Sequence, residues 1–522
     1  MNIMKIKSIF SILLLSAAVL GFQSCSDSDS GSSAVNITAP GTVLSLVHED
    51  SPIEELNIPM GELTSYMISV KTDGGWKVSV PEADASWVHI TPHAGYGWDA
   101  LNKDAVNTRA YVKLSVDYNE GAARSTQLTF TTGNLQAVLR INQAGKGSGS
   151  DPIESVWDMV GKLKMGYNLG NTLESNHDLS NSWFNPSGPG DWQTWETCWG
   201  QPQTTQEIIN AIADKGFNII RVPVTWFPHM DEEGNIDEQW MNRVEEVVNY
   251  VLNANCYCII NVMHDTGARG ADRTDRHCWL TADIDKYPEN TILYQKIWTQ
   301  ICERFKNYDE RLIFESFNEI LNSSYSWTAP SSESDGAYEA INKLQQDFVN
   351  VVRASGGNNK YRNLAVTTYS ATGNADAPVN AFKAPQDQVS DHMYLTIHSY
   401  DPYNFCNNNS GKAPDGSTYD YNILIFDDDC KAVIDGVFAR VNKRATECGI
   451  PFIFGEFGAL DYEKSMAERV KYAQYMASKF KQYKTAGLWW MNLINRNDLT
   501  TTIKYDANHI VDESPIIDAL FQ

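Results

Sequence analysis

The feature that most limits the folds open to this chain is an alternation. Between residues 153 and 522, eight short apolar, strand-like runs are separated by helical stripes. The runs are 164–169, 218–223, 258–263, 312–317, 363–368, 394–399, 451–455 and 487–491. Between two of them, Ile341, Leu344, Phe348, Val351 and Val352 recur at helical spacing, and 238–252 and 466–483 have the same character. Strands joined through helices run parallel, because each connection must cross back over the sheet. Eight such units at this length predict an α/β domain, a closed (β/α)8 TIM barrel rather than an open sheet. The long inserts 174–200 and 266–286 follow strand ends, so they are expected at the mouth, where barrels place their sites.

The segment 35–145 has another character. Met67–Val70, Trp76–Val80, Val112–Val116, Thr126–Phe130 and Ala137–Ile141 alternate with period two and are separated by turn signals such as Asp73-Gly74-Gly75. That pattern predicts a small, antiparallel, immunoglobulin-like β-sandwich. Its Trp76, Trp87-Val88, Gly95, Asn119, Arg124 and Asn142-Gln143-Ala144-Gly145 resemble the BACON domain. The resemblance implies either carbohydrate binding or a spacer. Residues 146–152, Lys-Gly-Ser-Gly-Ser-Asp-Pro, form a flexible linker to the barrel segment 153–522.

The first 25 residues are not read as fold. Lys5 and Lys7 precede an apolar stretch of signal-peptide length, and Ser24-Cys25 is followed by an acidic Ser/Asp tract. This resembles a bacterial lipoprotein signal with Cys25 as the lipidated residue and 26–34 as a tether. The resemblance implies a cell-surface, outer-membrane lipoprotein, with secretion or a periplasmic location as the alternative. The net charge of −24 sets the chain against phosphate backbones, so no nucleic-acid partner is expected. Neutral polymers such as sugars remain open as partners, and a monomer is expected. Eight cysteines follow Cys25 without zinc-site spacing, and Cys256 and Cys258 read as buried free thiols.

The ends of the eight runs carry the chemistry. They supply Asn168 and Asn171, Arg221, His264, Asn318 and Glu319, His398 and Tyr400, Glu456, then Trp490 and Asn492. Turn-forming Asn is common at such ends; Arg, His, Glu, Tyr and Trp together are not. Two carboxylates brought to one end of a sheet are the equipment for cleaving a glycosidic bond. Asp265, Asp272, Asp275 and His277 read as a charged, solvated loop rather than a cation site.

Several runs also carry a family likeness. Asn168-Leu169-Gly170-Asn171-Thr172-Leu173-Glu174, Ile219-Ile220-Arg221-Val222-Pro223, Phe317-Asn318-Glu319, His398-Ser399-Tyr400-Asp401-Pro402 and Gly455-Glu456-Phe457-Gly458 resemble glycoside hydrolase family 5, in particular its subfamily 4. The resemblance implies a retaining endo-β-1,4-glucanase with neither metal nor organic cofactor. Glu319 would be the acid/base, and Glu456 the nucleophile. Arg221 and Tyr400 would donate to Glu456, and Asn318 would hold the sugar 2-hydroxyl. Asn171, His264, His398, Trp490 and Asn492 would complete the reactive subsite. The implied substrates are soluble or branched plant β-glucans (xyloglucan, mixed-linkage glucan or substituted cellulose). A mannanase or xylanase on the same barrel, and a non-catalytic surface glycan-binding lipoprotein, are the alternatives. Trp183, Trp192, Trp195, Trp199, Trp226, Trp279 and Trp327 are candidates for outer sugar subsites.

Overall fold

The computed structural model describes residues 40–48, 51–58, 66–96, 111–117, 119, 122–143, 154–177, 179, 184–188, 190–268, 277–332, 336–407, 424–460, 464–490 and 514–522. Cys25, Trp183, Asp272, Asp275, Asn492 and the 146–152 linker lie outside these residues.

Eight parallel strands close a barrel in chain order: β1 (Gly166–Asn168), β2 (Ile219–Val222), β3 (Tyr257–Ile260), β4 (Leu312–Glu315), β5 (Leu364–Thr372), β6 (Met393–Ser399), β7 (Phe452–Phe457) and β8 (Gly487–Trp490). β1 pairs with both β2 and β8, which is the closure. Each expected run contains one strand, with ends displaced by a few residues. The expected helical stripes are Glu238–Asn253, Ala337–Ala354 and Met466–Tyr483. Their buried faces pack with outward strand residues such as Ile220, Cys258, Phe314 and Phe454 in one apolar cluster.

The barrel interior is layered, because successive side chains on a strand point to opposite faces. Ile219, Ile259, Ile313, Ala365, Tyr394, Ile453 and Leu488 form an apolar inner layer. Helix Val156–Lys162 closes the floor beneath it with Val156, Met159 and Val160. Two residues further along β2 and β4, and one past the end of β3, the inward positions are Arg221, Glu315 and Asn261. All three are buried. A polar layer therefore rests on the apolar one, below the mouth.

Two strands depart from regular pairing. β5 is bulged between Thr367 and Thr372, where Ser370 and Ala371 take φ of 49° and 52°. A left-handed non-glycine residue costs roughly 1–2 kcal/mol, so neighbouring contacts must hold this bend. β6 and β7 shift register between Ile397 and His398, which sets His398 opposite Glu456.

Ahead of the barrel, two five-stranded sheets share one core that includes Ile68, Val70, Trp76, Leu114, Phe130 and Ile141. The expected all-antiparallel arrangement needs one correction: Leu135–Gln143 runs parallel to Glu55–Ile58. These strands are distant in sequence, so no hairpin forces them to oppose. Sequence periodicity also missed short strands such as Ser45–His48, Glu55–Ile58 and Val88–Thr91. All eight described cysteines are free, and Cys256 and Cys258 are buried as expected.

Candidate active site

Arg221 is the hub of the polar layer. It is wholly buried, and its guanidinium donates from Nε to Glu315 (2.7 Å), from Nη1 to Asn168 (3.1 Å) and Glu456 (2.7 Å), and from Nη2 to Asn318 (2.8 Å). Burial alone would lower its pKa, but the charges of Glu315 and Glu456 outweigh that and raise it. Asn261 supplies a second donor to Glu315 at 2.9 Å. The fork geometry of guanidinium lets one side chain join β1, β2, β4 and β7 beneath the mouth.

Glu456 lies within β7 and is nearly enclosed. Its Oε1 accepts from Arg221, and its Oε2 accepts from the Tyr400 hydroxyl at 2.7 Å. Tyr400 has its pKa pushed well up by burial and by the Glu456 and Glu319 charges, so it stays a donor. Glu319, in the loop after β4, is more open: its side chain is 20% exposed against 6% for Glu456. His398 stands between them, with Nδ1 at 2.8 Å from Glu319 and 3.6 Å from Glu456. Burial pulls the His398 pKa down, but the Glu456 charge and the Glu319 hydrogen bond and charge overcome it, and the net shift is upward. One atom each of Glu319, His398 and Glu456 falls within 4.8 Å of the others. A cation would have to displace His398 from Glu319 and compete with the Arg221 charge already on Glu456, so no metal enters this reading.

Backbone geometry makes the close approach feasible. A Cβ at Gly455 would lie 2.5 Å from Thr396 Oγ1 and 3.3 Å from His398 Nε2. Beside it, between β8 and the loop after β1, a Cβ at Gly170 would meet the Trp490 ring at 2.7 Å. Trp490 is partly exposed at the end of β8, whereas Trp489 is fully buried against Phe457. Asn171 takes φ of 60° in the loop after β1. Its backbone N–H and that of Thr172 donate to the buried Glu174 carboxylate. Burial pushes Glu174 up to about 7 despite those two backbone bonds and the Arg221 charge.

His264 sits farther round the mouth, its ring tilted against Trp199 (5.4 Å between centroids) and His277 (6.2 Å). Two outer-subsite candidates are corrected: Trp195 and Trp226 are 3% and 0% exposed. Trp226 bonds to the Asn261 carbonyl, and Trp195 packs edge-on against Phe184 and His229, so both are structural. Trp192, Trp199 and Trp279 are partly exposed, and Trp327 is 55% exposed. The solvated-loop reading of Asp265 also fails. It is fully buried, accepts from Trp226 N (2.8 Å) and Trp279 Nε1 (2.6 Å), and burial raises it to about 6.

Glu315 and Asn261 were not singled out from sequence. A signal existed: a carboxylate set among Leu312, Ile313, Phe314 and Phe317 has no water to face. It must meet a buried cation, and Arg221 is set in an equally apolar strand.

A barrel with two convergent carboxylates on β7 and after β4 defines a glycosidase-type architecture. The family model for cellulase (glycosyl hydrolase family 5) matches residues 179–496, and the chain belongs to that family. It is 35% identical over 342 residues to the cellulase/esterase CelE of Acetivibrio thermocellus, covering 65% of this chain and 36% of that protein. The chain thus spans about a third of that relative's length. Among solved structures, it is 34% identical to a glycoside hydrolase family 5 enzyme from Prevotella bryantii in complex with a xyloglucan tetradecasaccharide (TM-score 0.59, covering 71% of this chain and 98% of that one). A GH5-4 broad specificity endoglucanase from Ruminococcus champanellensis with bound cellotriose matches at 31% identity and TM-score 0.58, covering 71% of this chain and 100% of that one.

Proposed function

We propose that this protein is a retaining endo-β-1,4-glucanase acting on soluble or branched β-glucans, with Glu456 as nucleophile and Glu319 as acid/base. The observation that carries the reading is the unequal support of two carboxylates within one sugar ring's reach. Glu456 accepts hydrogen bonds from Arg221 on one oxygen and Tyr400 on the other. Glu319 receives the His398 ring and is the more open of the two, as a group that must meet a leaving oxygen and then a water requires. Separation within 4.8 Å suits attack rather than an interposed water, since inverting pairs stand roughly 6.5–9.5 Å apart.

In the first step a Glu456 oxygen attacks the anomeric carbon, the glycosidic C–O bond breaks, and Glu319 gives its proton to the departing oxygen. The covalent ester removes the Glu456 charge, which makes the Glu319 carboxylate the local base. In the second step Glu319 takes a proton from water, whose oxygen displaces Glu456 with net retention. Asn318 spends its carbonyl oxygen on Arg221, which leaves its amide N–H groups to hold the sugar 2-hydroxyl. Trp490 offers an apolar face to the ring being attacked. The substrate class rests on the relatives bound to xyloglucan and cellotriose. The leader resembling a lipoprotein signal, with Cys25 as its acceptor, supports attachment at the outer surface. Labelling with a fatty-acid analogue, lost in Cys25→Ser, checks that part.

The deciding experiment is product analysis on xyloglucan, mixed-linkage glucan, carboxymethyl cellulose, mannan and xylan, run beside Glu456→Ala. Internal β-1,4 cuts in glucans with β-configured products support the reading. Release confined to mannan or xylan, or turnover unchanged in Glu456→Ala, would refute it.

A further inference from the structure

Arg221 reaches Glu456 from within β2, whereas Tyr400 reaches it from just past the end of β6. The strand ladder stops there, so other contacts must hold the Tyr400 hydroxyl in line with the carboxylate. Asp401 supplies them. Its carboxylate accepts from Asn374 Nδ2 (2.5 Å), on the segment after β5, and from Ser399 Oγ (3.0 Å), the last residue of β6. Its backbone carbonyl accepts from the Cys406 thiol at 3.2 Å. The Cys406 carbonyl in turn accepts at 2.8 Å from the N–H of Leu460, on the segment after β7. The stretch that carries Tyr400 is thus tied to both neighbouring strand ends.

Asn374 reaches Asp401 through the β5 bulge. The bulge sets Thr372 opposite His398, and the Asn374 N–H donates to Thr372 Oγ1 at 3.1 Å. The two left-handed residues of the bulge, Ser370 and Ala371, are unfavourable without glycine, so contacts must hold the bend. Thr368 Oγ1 donates to the Thr372 carbonyl (2.7 Å), and Ser370 N to the Ile320 carbonyl (2.9 Å). The Tyr369 hydroxyl donates to the Ser326 carbonyl, in the loop of Trp327, at 2.6 Å. Burial pushes the Asp401 pKa up, against the Ser399 and Asn374 hydrogen bonds and the Arg440 charge.

We propose that Asp401, braced by Asn374 from the bulged end of β5, is the positioning residue for Tyr400. The inference rests on the hydrolase reading above, in which Tyr400 donates to the nucleophile. Glu456 gives up its charge when the glycosyl ester forms and regains it when water releases the sugar. The Tyr400 hydroxyl must keep its place through both steps, including the one in which its partner oxygen belongs to a neutral ester. A bond whose strength changes with the charge on Glu456 acts on the chemical step rather than on binding, so its loss falls on kcat.

The test is a double-mutant cycle on an aryl β-cellobioside, whose good leaving group keeps slow variants measurable. Asp401→Ala is expected to lower kcat about twentyfold and to change KM by less than about twofold. Asp401→Asn keeps one acceptor oxygen and is expected to recover most of that loss. In the Tyr400→Phe background the bond being positioned is already gone, so Asp401→Ala should cost less than about threefold. Equal cost in both backgrounds, as a general loss of stability would give, overturns the proposal, and so does a loss carried by KM alone. Asn374 is exposed, so Asn374→Ala repeats the cycle, at about threefold, should Asp401→Ala not fold. Crystal structures of wild type and Asn374→Ala or Asp401→Ala give a readout that needs no turnover. The Tyr400 hydroxyl, 2.7 Å from Glu456, is expected to leave hydrogen-bond reach. That displacement supports the positioning even if the wild-type chain cleaves no glycoside, an outcome that removes only the hydrolase reading. A hydroxyl unmoved in both variants overturns the proposal.

Discussion

Arg221 on β2 and Glu456 on β7 meet across the barrel at 2.7 Å, and the same guanidinium holds Glu315 at 2.7 Å on its other side. One cation thus neutralises two buried carboxylates, one beneath the mouth and one within it. A single pair would leave either the layer below or the reacting group uncompensated.

Replacing Arg221 by Lys tests that bridge. A point-like ammonium cannot span Glu315, Asn168, Asn318 and Glu456 together. Stranding a buried carboxylate costs about 3–5 kcal/mol. Arg221→Lys is expected to lower kcat at least a hundredfold and to lower the denaturation midpoint, read by steady-state kinetics and urea unfolding. Near-wild-type values for both would show that the hub is dispensable.

Gly455 is expected to be intolerant of even one added carbon. The nearest atoms to a Cβ are Thr396 Oγ1 and the His398 ring, on the neighbouring strand. Overpacking of this kind costs about 1–3 kcal/mol. Gly455→Ala should fold, yet lose at least tenfold in kcat because His398 is displaced from between the glutamates. A crystal structure of the variant with His398 unmoved, together with full activity, would contradict this.

His398 gives the site a pH signature. Its pKa is raised by Glu456 and Glu319 against the pull of burial and of Arg221. A proton held more tightly in the folded state contributes stability that is full below the unfolded value of roughly 6.5 and fades as pH rises through the folded one. His398→Gln keeps a side chain of hydrogen-bonding capacity without a titrating group. Its melting temperature is expected to fall less than the wild type's between pH 6.5 and 9, in parallel calorimetric scans.

Glu310 acts at the floor, away from the mouth. Burial raises it to about 7, with smaller upward pushes from Glu154 and Asp309, while the Glu154 backbone N–H and Lys162 oppose. The sign is the same as for His398, in a more acidic window. The folded chain keeps the proton after the unfolded chain has released it, so stability is lost as pH rises from about 4.5 to about 7. Glu310→Gln should flatten the wild-type decline in melting temperature between pH 5 and 7.5 without changing kcat. An unaltered slope would assign that decline to other groups, among them Asp265, which burial raises to about 6.

The barrel was legible because its information is local. Period-two runs and helical stripes each need only a few neighbours in sequence, and eight of them allow one closed topology. The mouth residues Arg221, Asn318, Glu319, His398, Tyr400, Glu456 and Trp490 were legible for a related reason: each ends, or lies beside, a run whose direction the alternation already set. Trp195 and Trp226 were misplaced because an indole in a loop looks the same from sequence whether it faces solvent or core.

What the chain's order of residues determined by itself was the parallel closed sheet and the set of side chains delivered to one rim. What only tertiary structure decided was which partners they meet: Arg221 on Glu315, Asn261 also on Glu315, His398 between Glu319 and Glu456, and Tyr369 under the Trp327 loop. Those pairings depend on register shifts in β5 and β7 and on desolvation inside the barrel. Both arise from long-range closure, which no local pattern encodes.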